Sequence, residues 1–330
     1  MSPGNSPTYP DDSGDELSFG LATAEEPYPY SVTPARPRSV LVTGARGFIG
    51  RHLLPRLVSR GHRVRAVSRK PAPPAEIADV EWRRADLTIP PTLRGIADGC
   101  DAIVHLVGIL SEHGRQTFDR VHVGGTRNLL AEATEARVAR FIFVSALGAK
   151  PTGSAYFRTK YEAELEVRRA RPEYVILRPS VVYGPGDHFT SAVARLLHAL
   201  PVFPMLGDGS FKLQPVAIED LTDALCQAVE RPDVADRVFE LAGPERLSFK
   251  KIVRMVARVL RLRRAILPLP PRLATPALWL SSRLGLPAPI TPAQLDMLRS
   301  GSVLSTSDNP LRSVFQVMPL PFRDALADYL

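Results

Sequence analysis

Cysteine is scarce in this chain. Cys100 and Cys226 are the only two in 330 residues. They make no C-x-x-C pattern and no disulfide framework, which excludes a stapled secreted scaffold and leads us to expect a reducing, cytoplasmic setting. No uninterrupted apolar run reaches the roughly 20 residues of a membrane-spanning helix. The N-terminus lacks a basic start followed by an apolar stretch, so no secretory leader is expected. The seven histidines show no metal-ligand spacing, and no metal is expected. Nucleic-acid motifs are absent too. The net charge of +8, from 42 Lys+Arg against 34 Asp+Glu, therefore reads as arginine on solvated helix faces, and no nucleic-acid partner is expected. The one dense basic cluster is Arg261 to Arg264. Residues 1–38 carry no Lys or Arg before Arg36 and are rich in Pro, Ser, Gly and acid. They read as a disordered tail.

What is present is a core-forming composition, 45% hydrophobic, and one informative run from Ser39 to Gly50. A short apolar strand (Val40, Leu41, Val42) meets glycines at 44, 47 and 50, and the apolar start of a helix (Phe48, Ile49, Leu53, Leu54) follows. Gly44 suits a tight turn. Gly47 lets the backbone approach a diphosphate, and Gly50 lets the helix pack closely on the sheet. The free N–H groups and positive dipole end of that helix would hold the anion. Gly44, Gly47 and Gly50, with Phe48 and Ile49, are thus the first candidate cofactor-binding residues.

The chain then alternates. Strands are expected at Val64–Arg69, Val80–Leu87, Asp101–Gly108, Phe141–Gly148 and Tyr174–Ser180. Helices lie between them, with Pro55 inside the first. This alternation predicts an α/β fold with a parallel, doubly wound sheet. After Pro179 short elements and prolines dominate, with helices near Ile218–Glu230 and Phe249–Leu260. We expect a nucleotide-binding core over 39–180, and a smaller cap with elements returning to the core over 181–330.

Tyr156 and Lys160 stand four apart on an expected helix, on one face. Ser145 closes the preceding strand. Together they resemble the triad of the short-chain dehydrogenase/reductase superfamily. The resemblance implies that the tyrosine moves a proton to or from a carbonyl or alcohol oxygen, the lysine tunes it and binds the nicotinamide ribose, and the serine orients the substrate oxygen. An acidic residue after the second strand would favour NAD. Ser68-Arg69-Lys70 stands there instead, with Arg46 in the glycine loop. These cations suit a 2′-phosphate, so NADP(H) is preferred with NAD(H) as the alternative. Asp86 and Leu87 are expected to flank the adenine, Leu106, Val107 and Gly108 to line its other side and the ribose, and Pro179 to close the pocket. His105 is expected in the core, His122 on a helix facing the sheet, and His188 in a loop near substrate.

The resemblance extends further. Val121–Ala133 resembles the V-x-G-T-x-N-L-L helix of extended and atypical members of the superfamily, and Arg178–Asp187 resembles their Arg-Pro substrate loop. Leu213–Leu225 resembles the segment in which an acidic residue, here Asp220, starts a helix. SALGAK, YFRTKYEAE, PVFPMLGDG and ITPAQLDML together resemble the branch of the nucleotide-binding accessory subunit of respiratory complex I and its bacterial relatives. It implies a Rossmann-type core, bound NADP(H), and either turnover or a structural role for the nucleotide. Ser145-Ala146-Leu147-Gly148 departs from the Ser-Ser or Ser-Thr phrasing of nucleotide-sugar epimerases. Three readings follow: an oxidoreductase on a small-molecule carbonyl or alcohol, lipophilic or quinone-like; a nucleotide-loaded assembly module of complex I type; and a nucleotide-sugar epimerase/dehydratase. An apolar wall (Leu196, Leu197, Val202, Phe203, Met205, Leu206) speaks for a lipophilic ligand. Pro268–Pro292, with Trp279, suggests an interfacial helix at a membrane surface, or a helix that closes the cap or pairs two subunits of a homo-oligomer.

Overall fold

Alternation along the strands decides the layers. In the computed structural model, which describes residues 36–70, 79–269, 299–327 and 329–330, strands β1 (Ser39–Thr43), β2 (Arg63–Ser68), β3 (Val80–Arg84), β4 (Ala102–His105), β5 (Arg140–Val144), β6 (Glu173–Pro179) and β11 (Arg237–Leu241) form one sheet. Its order is β11-β6-β5-β4-β1-β2-β3, parallel throughout. Val40, Val42, Val104, Ile142 and Val175 point to one face, where they pack with Leu53, Leu54 and Leu57 of α1 (Phe48–Ser59) and with Leu221, Leu225 and Val229 of α5 (Ile218–Glu230). Leu41, Ile103, Phe141, Phe143 and Ile176 point to the other, against α2 (Gly125–Glu135) and α3 (Ala155–Arg169). A strand covered on both sides must be apolar at every position, which is why Ala102–His105 is buried from end to end. Each fully buried Leu, Ile or Phe there contributes about 1.5–3 kcal/mol. The doubly wound parallel sheet expected from the sequence is what the chain forms.

Two features were not legible in the sequence. Strand β11 joins the sheet beyond β6, although Arg237 and Glu240 break its apolar pattern; it is an edge strand with only Phe239 and Leu241 buried. The helical segment between β4 and β5 begins as a wide π-type turn, Asp119–Gly124, before α2. Helix α1 runs through Pro55, which sits on its exposed face.

The chain turns from β1 to β2 and β3 on one side and returns to place β4 on the other. The crevice at the carboxyl ends of β1 and β4 is therefore the switch point where open α/β sheets bind ligands. Above it lies a second layer: β7 (Val182–Tyr183), α4 (Phe189–Ala199), β8 (Val202–Leu206), β9 (Lys212–Leu213), β10 (Val216–Ala217), β12 (Leu247–Ser248), α6 (Phe249–Val259) and β13 (Ala265–Leu269). These pair as β7–β10, β8–β13 and β9–β12 around Tyr183, Phe203, Met205 and Phe249. Residues 1–35, most of Pro268–Pro292 with Trp279, and ITPAQLDML lie outside the described residues. Among the described residues no helix is long and apolar enough to cross a membrane, and no cluster of His, Cys, Asp and Glu could hold a metal.

Candidate functional site

The glycine loop does what its spacing implies locally. Gly44 has φ +71°, and a Cβ there would meet the Leu106 carbonyl carbon and the Val107 nitrogen at 3.2 Å. The β1 and β4 loops thus touch at the switch point. Gly47 caps α1 and donates its N–H to the Gly44 carbonyl at 2.8 Å. Its cap is bare: among the described residues no side chain accepts the first-turn N–H groups, and no acidic residue stands in that turn. A Cβ on Gly50 would lie 2.4 Å from the Ala45 carbonyl oxygen, so the helix can approach the loop this closely only without a side chain. Bare donors at the positive end of a helix make an anion site.

A cavity of about 800 Å³ runs from this loop toward the cap. Of the candidate residues, Gly44, Gly47, Phe48, Ile49, Gly50, Leu106, Gly108, Ser145, Tyr156, Lys160 and Pro179 line it. Val107 packs instead into the core on the α2 and α3 side. Arg46, Arg69 and Lys70 are exposed. Arg69 and Lys70 follow β2 at the same sheet edge, and neither side chain forms an ion pair among the described residues. Asp86 is half-buried and accepts bonds from the Thr88 backbone N–H and hydroxyl, both at 2.8 Å, which folds it into a local turn. Leu87 is buried, and a Cβ on Gly125 would lie 3.1 Å from its own. Neither Asp86 nor Leu87 reaches the cavity wall.

Tyr156 and Lys160 lie on α3, whose first turn is fixed by Ser154 accepting the Phe157 N–H. The Tyr156 ring is held edge-on by Phe118, His122 and Phe157. Its hydroxyl has no hydrogen-bond partner among the described residues. Burial pushes the phenol up to about 12. The Lys160 ammonium donates to the Val144 carbonyl at 2.8 Å and lies 4.7 Å from the centre of the Phe143 ring. Burial pulls it down to about 8, with Glu164 opposing. Gly108 faces it: a Cβ there would come within 3.5 Å of Lys160 Nζ and 3.6 Å of His122 Nε2.

Ser145 follows β5 in the cavity wall, where the sequence puts it, and its hydroxyl already has a partner. Its hydroxyl donates to Glu164 Oε1 at 2.5 Å, and Glu164 is in turn gripped by Arg178 Nε and Nη2 at 2.8 and 2.6 Å. Ala146, the next residue, packs against Tyr156. Tyr156, Lys160 and Glu164 recur every four residues on one helix face; extending the Tyr–Lys spacing by one turn would have found Glu164 from the sequence. His122 was read as a sheet-facing side chain and is also part of the site. Its Nε2 accepts the Ile109 N–H at 3.1 Å, so its proton sits on Nδ1, 2.9 Å from the Thr159 hydroxyl. Burial and the Lys160 ammonium hold its pKa down at about 2. His105 is a satisfied core residue as expected, between the hydroxyls of Thr43 and Thr126.

On the cap side the cavity is apolar. Phe189, Val193, Leu196, Phe203 and Phe249 form its wall, and exposed His188 and Arg195 stand among the lining residues. Of the other side chains expected to form an apolar wall, Leu197 and Met205 are buried in the cap core. The Gly184–Asp187 loop is pinned to α1 by Arg51 and His52, which reach the carbonyls of Gly186 and Pro185.

The residues present fit a nicotinamide dinucleotide: a bare helix start for a diphosphate, a crevice at the switch point, and a lysine and tyrosine beyond it. Comparison with known proteins agrees. The family described as the NAD dependent epimerase/dehydratase family matches residues 40–242. The chain is 35% identical to the ceramide reductase of Caulobacter vibrioides over 70% of this chain and 73% of that protein. It is 29% identical to mouse mitochondrial NADH dehydrogenase [ubiquinone] 1 alpha subcomplex subunit 9, over 65% of this chain and 59% of that protein. The Thermus thermophilus UDP-glucose 4-epimerase complex with NAD superposes with a TM-score of 0.68 at 21% identity, covering 88% of this chain and 96% of that one. These matches bear out the superfamily and the complex I likeness drawn from the sequence.

Proposed function

The chain belongs to the NAD-dependent epimerase/dehydratase family, and from that premise we propose that it is an NADP(H)-dependent reductase of a lipophilic carbonyl compound. The observation that carries the reading is Tyr156: a buried phenol with an unpartnered hydroxyl, in the wall of a cavity that also contains the glycine loop. The division of labour we propose gives the nucleotide to 39–180 and the substrate to 181–330.

When bound, the nicotinamide supplies the hydride. Gly44, Gly47 and the first turn of α1 would hold its diphosphate, and Lys160 and Gly108 would meet its ribose. Tyr156 does the proton work. Burial favours the neutral phenol, so Tyr156 carries a proton at neutral pH and is suited to give it to a carbonyl oxygen as an alcohol forms. The Lys160 ammonium, held by the Val144 carbonyl, stabilises the phenolate left behind, which solvent then reprotonates. Ser145 contributes less than the family pattern implies, because its proton is committed to Glu164. The preference for NADP(H) rests on Arg69 and Lys70, where a carboxylate would select the ribose hydroxyl instead. The lipophilic substrate rests on the five apolar side chains of the cap wall, and agrees with a relative named for ceramide.

A second reading, a nucleotide-loaded assembly module, is favoured by the diverted Ser145 hydroxyl and by the likeness to a complex I subunit. One assay separates them. NADPH oxidation should occur with long-chain ketones, aldehydes or quinones and fall at least a hundredfold in Tyr156→Phe, with NADPH binding unchanged. Bound NADPH that exchanges slowly and oxidises with none of these substrates supports the module. Full activity in the phenylalanine variant refutes the acid.

A further inference from the structure

Among the described residues a second concavity shares no lining residue with the cavity at the glycine loop. About 840 Å³ in volume, it lies along α6 and the segment leading into β13. Six cationic side chains line it: Lys250, Arg254, Arg258, Arg261, Arg263 and Arg264. Among the described residues no acidic one does. Among the described residues none of the six forms an ion pair, and Arg264 alone is tied down, by donating to the Leu197 carbonyl at 2.9 Å. Arg258 stands in the last turn of α6, where the helix's own carbonyl dipole favours a cation. That accounts for one of the six. A surface that merely needed solubility would mix signs, since like charges crowded together repel.

Two further observations say what the groove faces. Large apolar side chains are exposed beside it: Leu267, 57% exposed on β13, and Leu200 at the end of α4, 36% exposed. The groove and the substrate cavity also stand back to back through the same two helices. On α4, Leu196 lines the cavity and the Leu197 carbonyl, which accepts from Arg264, the groove; on α6, Phe249 lines the cavity and Lys250 the groove.

We propose that this groove docks the protein on a bilayer surface carrying anionic phospholipid, with Leu267 and Leu200 entering the headgroup layer. Cations near such a surface and apolar side chains at its edge are the two terms that bind a peripheral protein. Docking there sets the apolar cavity, one helix layer away, beside the phase in which a lipophilic substrate is dissolved. The proposal does not rest on the reductase reading, because binding is measured without turnover.

The test is flotation of the full-length chain with vesicles of phosphatidylcholine alone or with phosphatidylglycerol added. The expected result is binding to the anionic vesicles only, weakened by salt. Arg254→Gln, Arg258→Gln and Arg263→Gln should each cost about fivefold in partition and together about a hundredfold. All three side chains are exposed, so the triple variant should melt and bind NADPH as the parent does. The triple lysine variant keeps the charge and should float. Equal flotation of the parent and the triple glutamine variant overturns the proposal, as does equal binding to neutral vesicles. Arginine-dependent binding to a DNA duplex or to inorganic phosphate without flotation also overturns it, and reassigns the groove to a soluble anion.

Discussion

Three buried titratable groups should give this protein an unusual acid response, because they pull in opposite directions. Burial, then the Lys160 ammonium, hold His105 down at about 3 and His122 at about 2. Their folded pKa values lie below the unfolded 6.5, so the stability they carry is present above that value and is lost as the pH falls through it. Asp220 behaves in the opposite sense. It is buried at the start of α5, where it accepts the Leu320 N–H at 2.9 Å, and burial raises it to about 7. The folded state then binds the proton more tightly than the unfolded state, so stability is gained as the pH falls from about 7 toward 3.8. Between pH 7 and 4.5, at about 1.4 kcal/mol per unit, each histidine costs roughly 2–3 kcal/mol and Asp220 returns about 3 kcal/mol. These three groups together leave a net loss of about 2 kcal/mol, a visible share of a typical 5–15 kcal/mol. Asp220→Asn keeps an acceptor for Leu320 but removes the compensation, so its loss over this interval should exceed the parent's by about 3 kcal/mol. His122→Gln keeps an acceptor for Ile109 and should lose roughly 2–3 kcal/mol less than the parent. Urea unfolding at the two pH values, followed by far-UV circular dichroism, reads these differences of differences, from which carboxylates common to all variants cancel. Identical pH losses in the parent and both variants would refute the reasoning.

Other perturbations test the nucleotide site and its surroundings. Gly50→Ala puts a methyl group 2.4 Å from a backbone carbonyl oxygen and should destabilise by about 1–3 kcal/mol; calorimetry should also show NADPH affinity at least tenfold weaker, and an unchanged melting temperature and Kd would contradict the close approach. Ser145→Ala removes one bond to buried Glu164 and should cost about 1.5–3 kcal/mol in urea unfolding while kcat falls only a few-fold; a hundredfold fall would restore Ser145 as an aligning residue. Arg69→Gln combined with Lys70→Gln should weaken NADPH at least tenfold in a titration and leave NADH nearly unchanged; equal losses would place the 2′-phosphate elsewhere.

What the sequence disclosed and what it withheld follow from the range of the interactions involved. Strands such as Ile103–His105 and Phe141–Val144 were readable because burial on both faces forces an unbroken apolar run. The glycine loop was readable because backbone approach is a local demand: Gly44 needs its φ and Gly50 its missing Cβ within a few residues of chain. Edge strand β11 was not, because one side of it needs no apolar cover and its pairing partner β6 lies some sixty residues back.

The site divides along the same line. Tyr156 and Lys160 belong to one helix, and helical geometry alone places them together. Where the Ser145 hydroxyl points depends on a partner nineteen residues away and on an arginine from the next strand. A carboxylate buried at 0% exposure needs its charge answered. Arg178 answers it through two parallel bonds, and the serine hydroxyl completes the set. A pattern match on serine, tyrosine and lysine is blind to this competition, because the buried carboxylate outbids the cavity for the hydroxyl. On the reductase reading proposed above, the pair that would serve a carbonyl is therefore Tyr156 and Lys160, with Ala146 beside the tyrosine, and orientation of a substrate oxygen would fall to the shape of the apolar wall opposite.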